Sequence, residues 1–257
     1  MKRIHLFEWE DQQWFPRFLR DYMTDFLQFL SNKAKVYQPV IEEINNAMEE
    51  SNTNCIIDLG SGGGGGLLWL SNELKKVRPD IKIVLTDLFP NLTAFERTKN
   101  QSEIIEYLSY PIDAKNVPEQ LKGLRTQFLS FHHFRPDEGR IIIQNAVNSG
   151  QPLAVFEIQD RSIPSIIAML LSPVSVVLTT PFIRPFRWGR LVFTYLIPLI
   201  PITVLWDGIV SCLRTYSVKE MEELLTSVEN RETYSWTLEK KRSGKGFVIY
   251  MIGIPIK

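Results

Sequence analysis

Cysteine is almost missing: Cys55 and Cys212 are the only two in 257 residues. Two thiols make no disulfide framework, so a small stapled scaffold is excluded and a reducing, cytoplasmic setting is expected. There the sequon Asn91-Leu92-Thr93 carries no meaning, and both thiols read as apolar fillers. Histidine is scarce too, with three in the chain; no spaced ligand cluster is evident, so no metal site is expected. Neither sign of charge is in surplus, because 29 Lys and Arg balance 29 Asp and Glu. Neutralising phosphates needs a basic excess, so nucleic acid is not an expected partner. Met1 to Asp11 mixes charged and aromatic residues and lacks the apolar centre of a cleaved signal. An unbroken apolar run of the ~20 residues a membrane span requires is also missing. Ser162–Ile183 is uncharged but interrupted by Pro164, Pro173 and Pro181, and the shorter Leu191–Trp206 contains Pro198 and Pro201.

What remains is a globular composition, 44% hydrophobic and 23% charged, long enough for one large domain. Trp14, Phe15, Phe18, Leu19, Tyr22, Phe26, Phe29 and Leu30 recur at three- and four-residue steps. They predict helix between about Asp11 and Glu50, with a second helix from Tyr37. Strands are expected at Cys55–Leu59, Lys82–Thr86, Glu106–Tyr110, Gln127–Phe131 and Leu153–Ile158. Helical stretches fall between most of them: Leu67–Val77, Leu92–Asn100, Pro118–Leu124 and Pro136–Ser149. Such alternation implies βαβ crossovers, a mostly parallel sheet, and ligands beyond the carboxyl ends of the strands. Further on, Ser217 and Glu220 form a capping box for a helix over Val218–Leu225. Tyr234–Lys240 and Phe247–Ile254, joined through Ser243, Gly244, Lys245 and Gly246, read as a closing antiparallel hairpin.

The most informative stretch is Ile56-Ile57-Asp58-Leu59-Gly60-Ser61-Gly62-Gly63-Gly64-Gly65-Gly66. Glycines after a short strand let the backbone turn sharply and leave a ligand room against the next helix. Gly60, Gly62 and Gly65 fit G-x-G-x-x-G, with Asp87 at a ribose-binding distance, which is the dinucleotide fingerprint. Asp58, Gly60, Gly62 and Gly64 fit D-x-G-x-G-x-G instead. Asp58 separates the two patterns: a carboxylate there repels a pyrophosphate but suits a ligand carrying ammonium and sulfonium groups.

With the terminal hairpin, D-x-G-x-G-x-G resembles the class I S-adenosylmethionine-dependent methyltransferases from about residue 37 to the end. The closest resemblance is to small bacterial members of unassigned substrate. The other landmarks are Ser130-Phe131-His132-His133-Phe134 and Leu213-Arg214-Thr215-Tyr216-Ser217. The resemblance implies an α/β, Rossmann-like, mostly parallel sheet of about seven strands ending in an antiparallel hairpin, with helices on both faces. It also implies an N-terminal helical cap over residues 1–50, a catalytic domain over 51–257, and an apolar insertion at 162–206. S-adenosyl-L-methionine is the implied cofactor. Asp58 with Gly60, Ser61, Gly62 and Gly64 would hold its methionine part, and Asp87 would accept from the ribose hydroxyls. Leu88 and Phe89 would flank the adenine, Asp113 and Ala114 would lie by its amino group, and Phe131 would complete the cofactor pocket.

The methyl group would face His132 and His133, either of which could take a proton from an acceptor near neutral pH; the alternative is that they only pack and brace their loop. Glu157 and Asp207 are further candidates, Arg214 and Tyr216 could line the pocket or anchor a cap, and Asp160-Arg161 reads as a surface pair. The insertion is expected as a lid over a small, lipophilic acceptor or as a peripheral membrane contact, with extra core or a dimer face also open. A nicotinamide-dependent oxidoreductase and a non-catalytic, membrane-associated cofactor-binding protein are the alternative functions. The oligomeric state and the attacked atom, oxygen, nitrogen or carbon, are not legible.

Overall fold

Short runs of β-branched and apolar residues become the central strands β1 (Cys55–Leu59), β2 (Lys82–Thr86), β4 (Leu124–Phe128) and β5 (Leu153–Glu157), with β3 (Ile105–Tyr107) outside β2. The structure, a computed structural model, describes residues 1–243 and 246–256. Its seven-stranded sheet runs β3-β2-β1-β4-β5-β7-β6. The first five strands are parallel. β7 (Gly246–Pro255) enters antiparallel against β5 and pairs with β6 (Tyr234–Ser243) at the edge. The hairpin is therefore present, although Gly244 and Lys245 of its expected turn lie outside the described residues. Leu59 sits opposite Thr86, so Gly60 and Asp87 leave the sheet side by side.

The helices are α1 (Arg17–Ala34), α2 (Ile41–Glu50), α3 (Leu67–Val77), α4 (Leu92–Lys99), α5 (Pro136–Asn148) and, after β5, α6 (Ile163–Leu170) and α7 (Ser172–Thr179). α8 (Trp188–Leu191) continues as a wider turn over Val192–Leu196, followed by α9 (Leu199–Arg214) and α10 (Val218–Thr226). Ile44 and Met48 of α2 and Leu70 of α3 share one core with Ile56, Ile83 and Phe156 of the strands. Ile142 and Ile143 of α5 and Met221 of α10 share another with Ile57 and Val155. The capping box of Ser217 and Glu220 forms as expected. A boundary at residue 50 cuts through the first of these cores, because α2 belongs to it. A third cluster joins Phe15, Leu19, Met23 and Phe26 to Val176, Ile183, Ile200 and Val204 of the insertion.

Three expectations fail locally. β3 covers Ile105–Tyr107 and stops three residues short of the expected end at Tyr110. β4 begins at Leu124 and ends at Phe128, three residues ahead of the expected Gln127–Phe131. Pro118–Leu124 is not helical: Gly123 approaches β1 so closely that a Cβ there would lie 2.5 Å from the Cys55 carbonyl oxygen, and that contact starts the strand. Leu129, at φ 54°, ends the strand and turns the chain into a single 3-10 turn, Phe131–His133.

Candidate active site

The glycine loop is built from both sides. Ser61 donates its hydroxyl to Asp58 Oδ2 at 2.6 Å, and Thr126 of β4 donates to Oδ1 at 2.8 Å. The Ser61 amide donates to the Thr86 carbonyl at 2.9 Å and stitches the loop to β2. From above, α1 presents Gln28, which donates to the Gly63 carbonyl at 2.7 Å. Asn32 donates to the Gly65 carbonyl at 2.8 Å and accepts from the Trp69 amide at 2.7 Å. Gly60, Gly62 and Gly64 all have positive φ, at 72°, 54° and 87°, a region disfavoured for side chains with a Cβ. A Cβ on Gly64 would strike the Thr98 hydroxyl at 2.9 Å, whereas one on Gly62 would meet nothing within 4 Å.

That open face is where a ligand can reach bare backbone. Asp87 borders it: Oδ2 accepts from the Gly62 amide at 2.8 Å and Oδ1 from the Phe89 amide at 2.8 Å. Its unused lone pairs suit a diol. Leu88 and Phe89 next to it are exposed, available to an adenine ring. Asp113 Oδ1 accepts from the Lys115 amide at 2.9 Å, and Ala114 is buried in the second core.

The expected role of Asp58 needs correcting. Its carboxylate is 2% exposed and both oxygens are engaged beneath the loop. Burial pushes its pKa up to about 7 against the pull of the Ser61 and Thr126 hydrogen bonds, and the Asp87 charge adds to the rise. It shapes the loop and offers no face to a ligand. Phe131 needs the same correction. It is fully buried, with its ring centroid 5.2 Å from that of Tyr216, so it packs and does not line a cofactor pocket.

The histidines diverge. Glu157, buried at the end of β5, accepts from the His132 amide at 3.0 Å and from its ring Nδ1 at 2.9 Å. With Nδ1 donating to a carboxylate, a neutral ring keeps its lone pair on Nε2. His133 Nδ1 instead faces Asp11 at 2.8 Å and Glu8 at 3.2 Å. Burial pulls this imidazolium down, but Glu8, Asp11 and Glu10 outweigh it and hold its pKa up to about 10. The two rings lie 4.3 Å apart.

The carboxylates on His133 arrive with the N-terminal segment, which the sequence did not place here. Residues 3–11 form a strap along α9. Arg214 donates to the Leu6 carbonyl at 2.7 Å and to Asp11 at 2.6 Å. Arg3 donates to the Phe134 carbonyl at 2.8 Å, and the Trp9 amide donates to Asp207 at 2.8 Å. Arg214 and Tyr216 are thus buried anchors. Burial, with Glu10 and Glu8 nearby, pushes Asp207 up to about 8. Asp160 and Arg161 do not pair with each other but with Lys240 and Glu220. Glu8, His132 and His133 bring one potential metal-ligand atom each within 4.8 Å of one another, a group hidden in sequence by the separation of Glu8 from the histidines. In this arrangement the His133 cation already answers the Glu8 charge.

No protein-family model matches the chain, and no curated protein matches it in sequence. Among solved structures, the plantazolicin methyltransferase BpumL, in complex with SAH, superposes at a TM-score of 0.56 and 13% identity. That match covers 96% of this chain and 93% of that one. The fold is that of the class I methyltransferases. An O-methyltransferase family protein from Burkholderia thailandensis matches at TM-score 0.51 and 15% identity, over 92% of this chain and 59% of that one. Human N-acetylserotonin methyltransferase in complex with SAM matches at 0.50 and 15%, over 92% and 58%. The chain thus spans less than two thirds of those last two. A methyltransferase fold with β7 reversed between β5 and β6 differs from the dinucleotide-binding order, which continues parallel.

The sequence also missed Gln28 and Asn32, together with Thr24, whose side chain would lie 3.2 Å from a Cβ on Gly63. Their signal was available: three polar residues at four-residue spacing on a helix otherwise marked by its aromatics.

Proposed function

We propose that the protein is an S-adenosylmethionine-dependent methyltransferase that methylates a hydroxyl of a small, apolar acceptor. One observation carries this proposal: an open glycine loop after β1 lies beside Asp87 after β2, in a sheet whose last inserted strand is reversed. The residues fit the cofactor, since backbone is bare at Gly62 and Asp87 keeps lone pairs for the ribose hydroxyls. When bound, S-adenosylmethionine supplies a methyl carbon already activated by its sulfonium. Much of what the protein adds is alignment and exclusion of water.

His132 and Glu157 account for the remaining chemistry. Nε2 of His132 would take the hydroxyl proton of the acceptor, and Glu157 would hold the ring and balance the imidazolium. His132 is 3% exposed, so the strap lifts to admit an acceptor and reseals over it. His133, held as a cation among carboxylates, fastens the strap and takes no proton. The apolar flank of α1 and the insertion favour a lipophilic acceptor.

Calorimetry with S-adenosylmethionine, S-adenosylhomocysteine and NADH tests the cofactor. Asp87→Ala is expected to weaken S-adenosylmethionine binding by about 1.5–3 kcal/mol, the scale of a charge-assisted hydrogen bond. Binding of NADH alone overturns the proposal. With a panel of phenolic and aliphatic alcohols and labelled cofactor, His132→Asn is expected to lower turnover by about 10²–10⁴ and to leave cofactor affinity unchanged. Undiminished turnover removes His132 as the base.

A further inference from the structure

Half of the large apolar side chains that the described residues leave exposed fall between Ile163 and Trp206. Leu178, Phe182, Trp188 and Leu196 are 66%, 66%, 76% and 77% exposed, and α6 buries none of its residues. A soluble monomer seldom leaves so much apolar surface in one segment uncovered. The charge of the same segment is one-sided. Between Arg161 and Trp206 there are four arginines, Arg161, Arg184, Arg187 and Arg190, and no Asp, Glu or Lys, in a chain whose overall charge is zero. Arg161 and Arg190 are spoken for by Glu220 and Asp25. Arg184 is exposed; Arg187 is half-buried, with its Nε 3.9 Å from the Asp25 carboxylate that Arg190 and Arg97 already share, and both lie beside Phe182, Phe186 and Trp188 in the chain.

We infer that the outer surface of residues 163–206 docks on an anionic lipid bilayer, lying in its interface with Arg184 and Arg187 among the headgroups. Apolar side chains flanked by arginine and tryptophan, with no carboxylate, match that surface in both polarity and sign. A second copy of the chain would bring Arg184 and Arg187 again and no acid from the same segment, so charge disfavours it as the occupant. The geometry suits lying on a membrane and not crossing it. No single helix among the described residues is long and apolar enough to span, and the two helix pairs that reach the length together are bent by 41° and 78°.

The test is flotation of the full chain with phosphatidylcholine vesicles, with and without phosphatidylglycerol. The chain is expected to float with the anionic vesicles and to bind the neutral ones about thirtyfold more weakly, as two arginines at the surface require. Leu178→Glu with Leu196→Glu abolishes flotation; Ile141→Glu, on the exposed face of α5, does not. Arg184→Glu removes much of the preference for phosphatidylglycerol, and brominated lipid quenches Trp188 fluorescence. Circular dichroism of each variant separates lost docking from lost folding. Failure of the unmodified chain to float overturns the inference, as does flotation that survives the double variant with its fold intact. A concentration-dependent dimer that the double variant dissolves, with no flotation, assigns the face to a second copy and overturns it equally. None of these readouts depends on methyl transfer, so they stand or fall apart from the proposed activity.

Discussion

The central strands and the insertion draw on the same apolar residues and meet opposite fates. Ile56, Ile83, Leu124 and Phe156 are 0% exposed on the sheet, while Ile163, Leu178 and Leu196 in the insertion are 71%, 66% and 77% exposed. The strands are covered on one face by α2 and α3 and on the other by α5 and α10. The insertion is covered on its inner side by α1 and the N-terminal strap, and among the described residues nothing lies above its outer helices. Apolar composition says that a surface wants covering, but chain topology says whether the chain itself can do it.

The sharpest way to break this comparison is truncation on each side of it. Phe156→Ala is expected to cost about 3–5 kcal/mol in chemical denaturation, the range for emptying a buried aromatic site. A second variant tests the seam between the regions. Asp25 on α1 holds Arg97 at 2.6 Å and also bonds Arg190 of α8. Asp25→Asn leaves these two guanidiniums, and that of Arg187 at 3.9 Å, under-compensated, and a loss of about 2–3 kcal/mol is expected in the same assay. A third sharpens the role of the strap. His133→Asn is expected to cost about 1–2 kcal/mol at neutral pH and to change the pH profile of melting.

His133 and Asp207 set the sign of that profile, and buried Asp58, raised to about 7, adds to it in the same direction as Asp207. His133 is raised to about 10 by its carboxylates, so its stabilisation is complete below the usual histidine range and is lost as pH climbs toward 10. Asp207 is raised to about 8 by burial; the folded state holds its proton more firmly than the unfolded one does, so stability also falls as pH rises from about 4 to 8. Scanning fluorimetry is therefore expected to show melting temperature falling from pH 6.5 upward, with a shallower slope in His133→Asn. The smallest effect belongs to Leu196→Ala, within about 0.5 kcal/mol of the unmodified chain, as for an exposed position. A loss of several kcal/mol there would mean that the insertion is covered in solution.

The frame of the molecule was legible because its signals are local. β1 and β2 fall where Cys55–Leu59 and Lys82–Thr86 were expected, and the Ser217 cap and Glu220 need only three residues of spacing. β4 was misplaced because its start is set by Gly123 passing Cys55, a contact between distant segments that no pattern within 118–131 reveals. The site was half legible for the same reason. The glycine loop and Asp87 announce themselves, but Asp58 was assigned to the ligand since its burial beneath Ser61 and Thr126 depends on β4 lying beside β1. Glu8 and Asp11 reach His133 from far away in the chain and both also pair with Arg214, and charge counting over short windows averages such groups away.

One consequence of α1 remains. Its Gln28 and Asn32 grip the glycine loop, while its Leu19, Met23 and Phe26 pack into the insertion. A rod clamped along both flanks cannot roll toward one without dragging on the other. Whatever tilts the outer helices therefore tilts the roof above Gly63 and Gly65, and the two ends of the molecule keep time together.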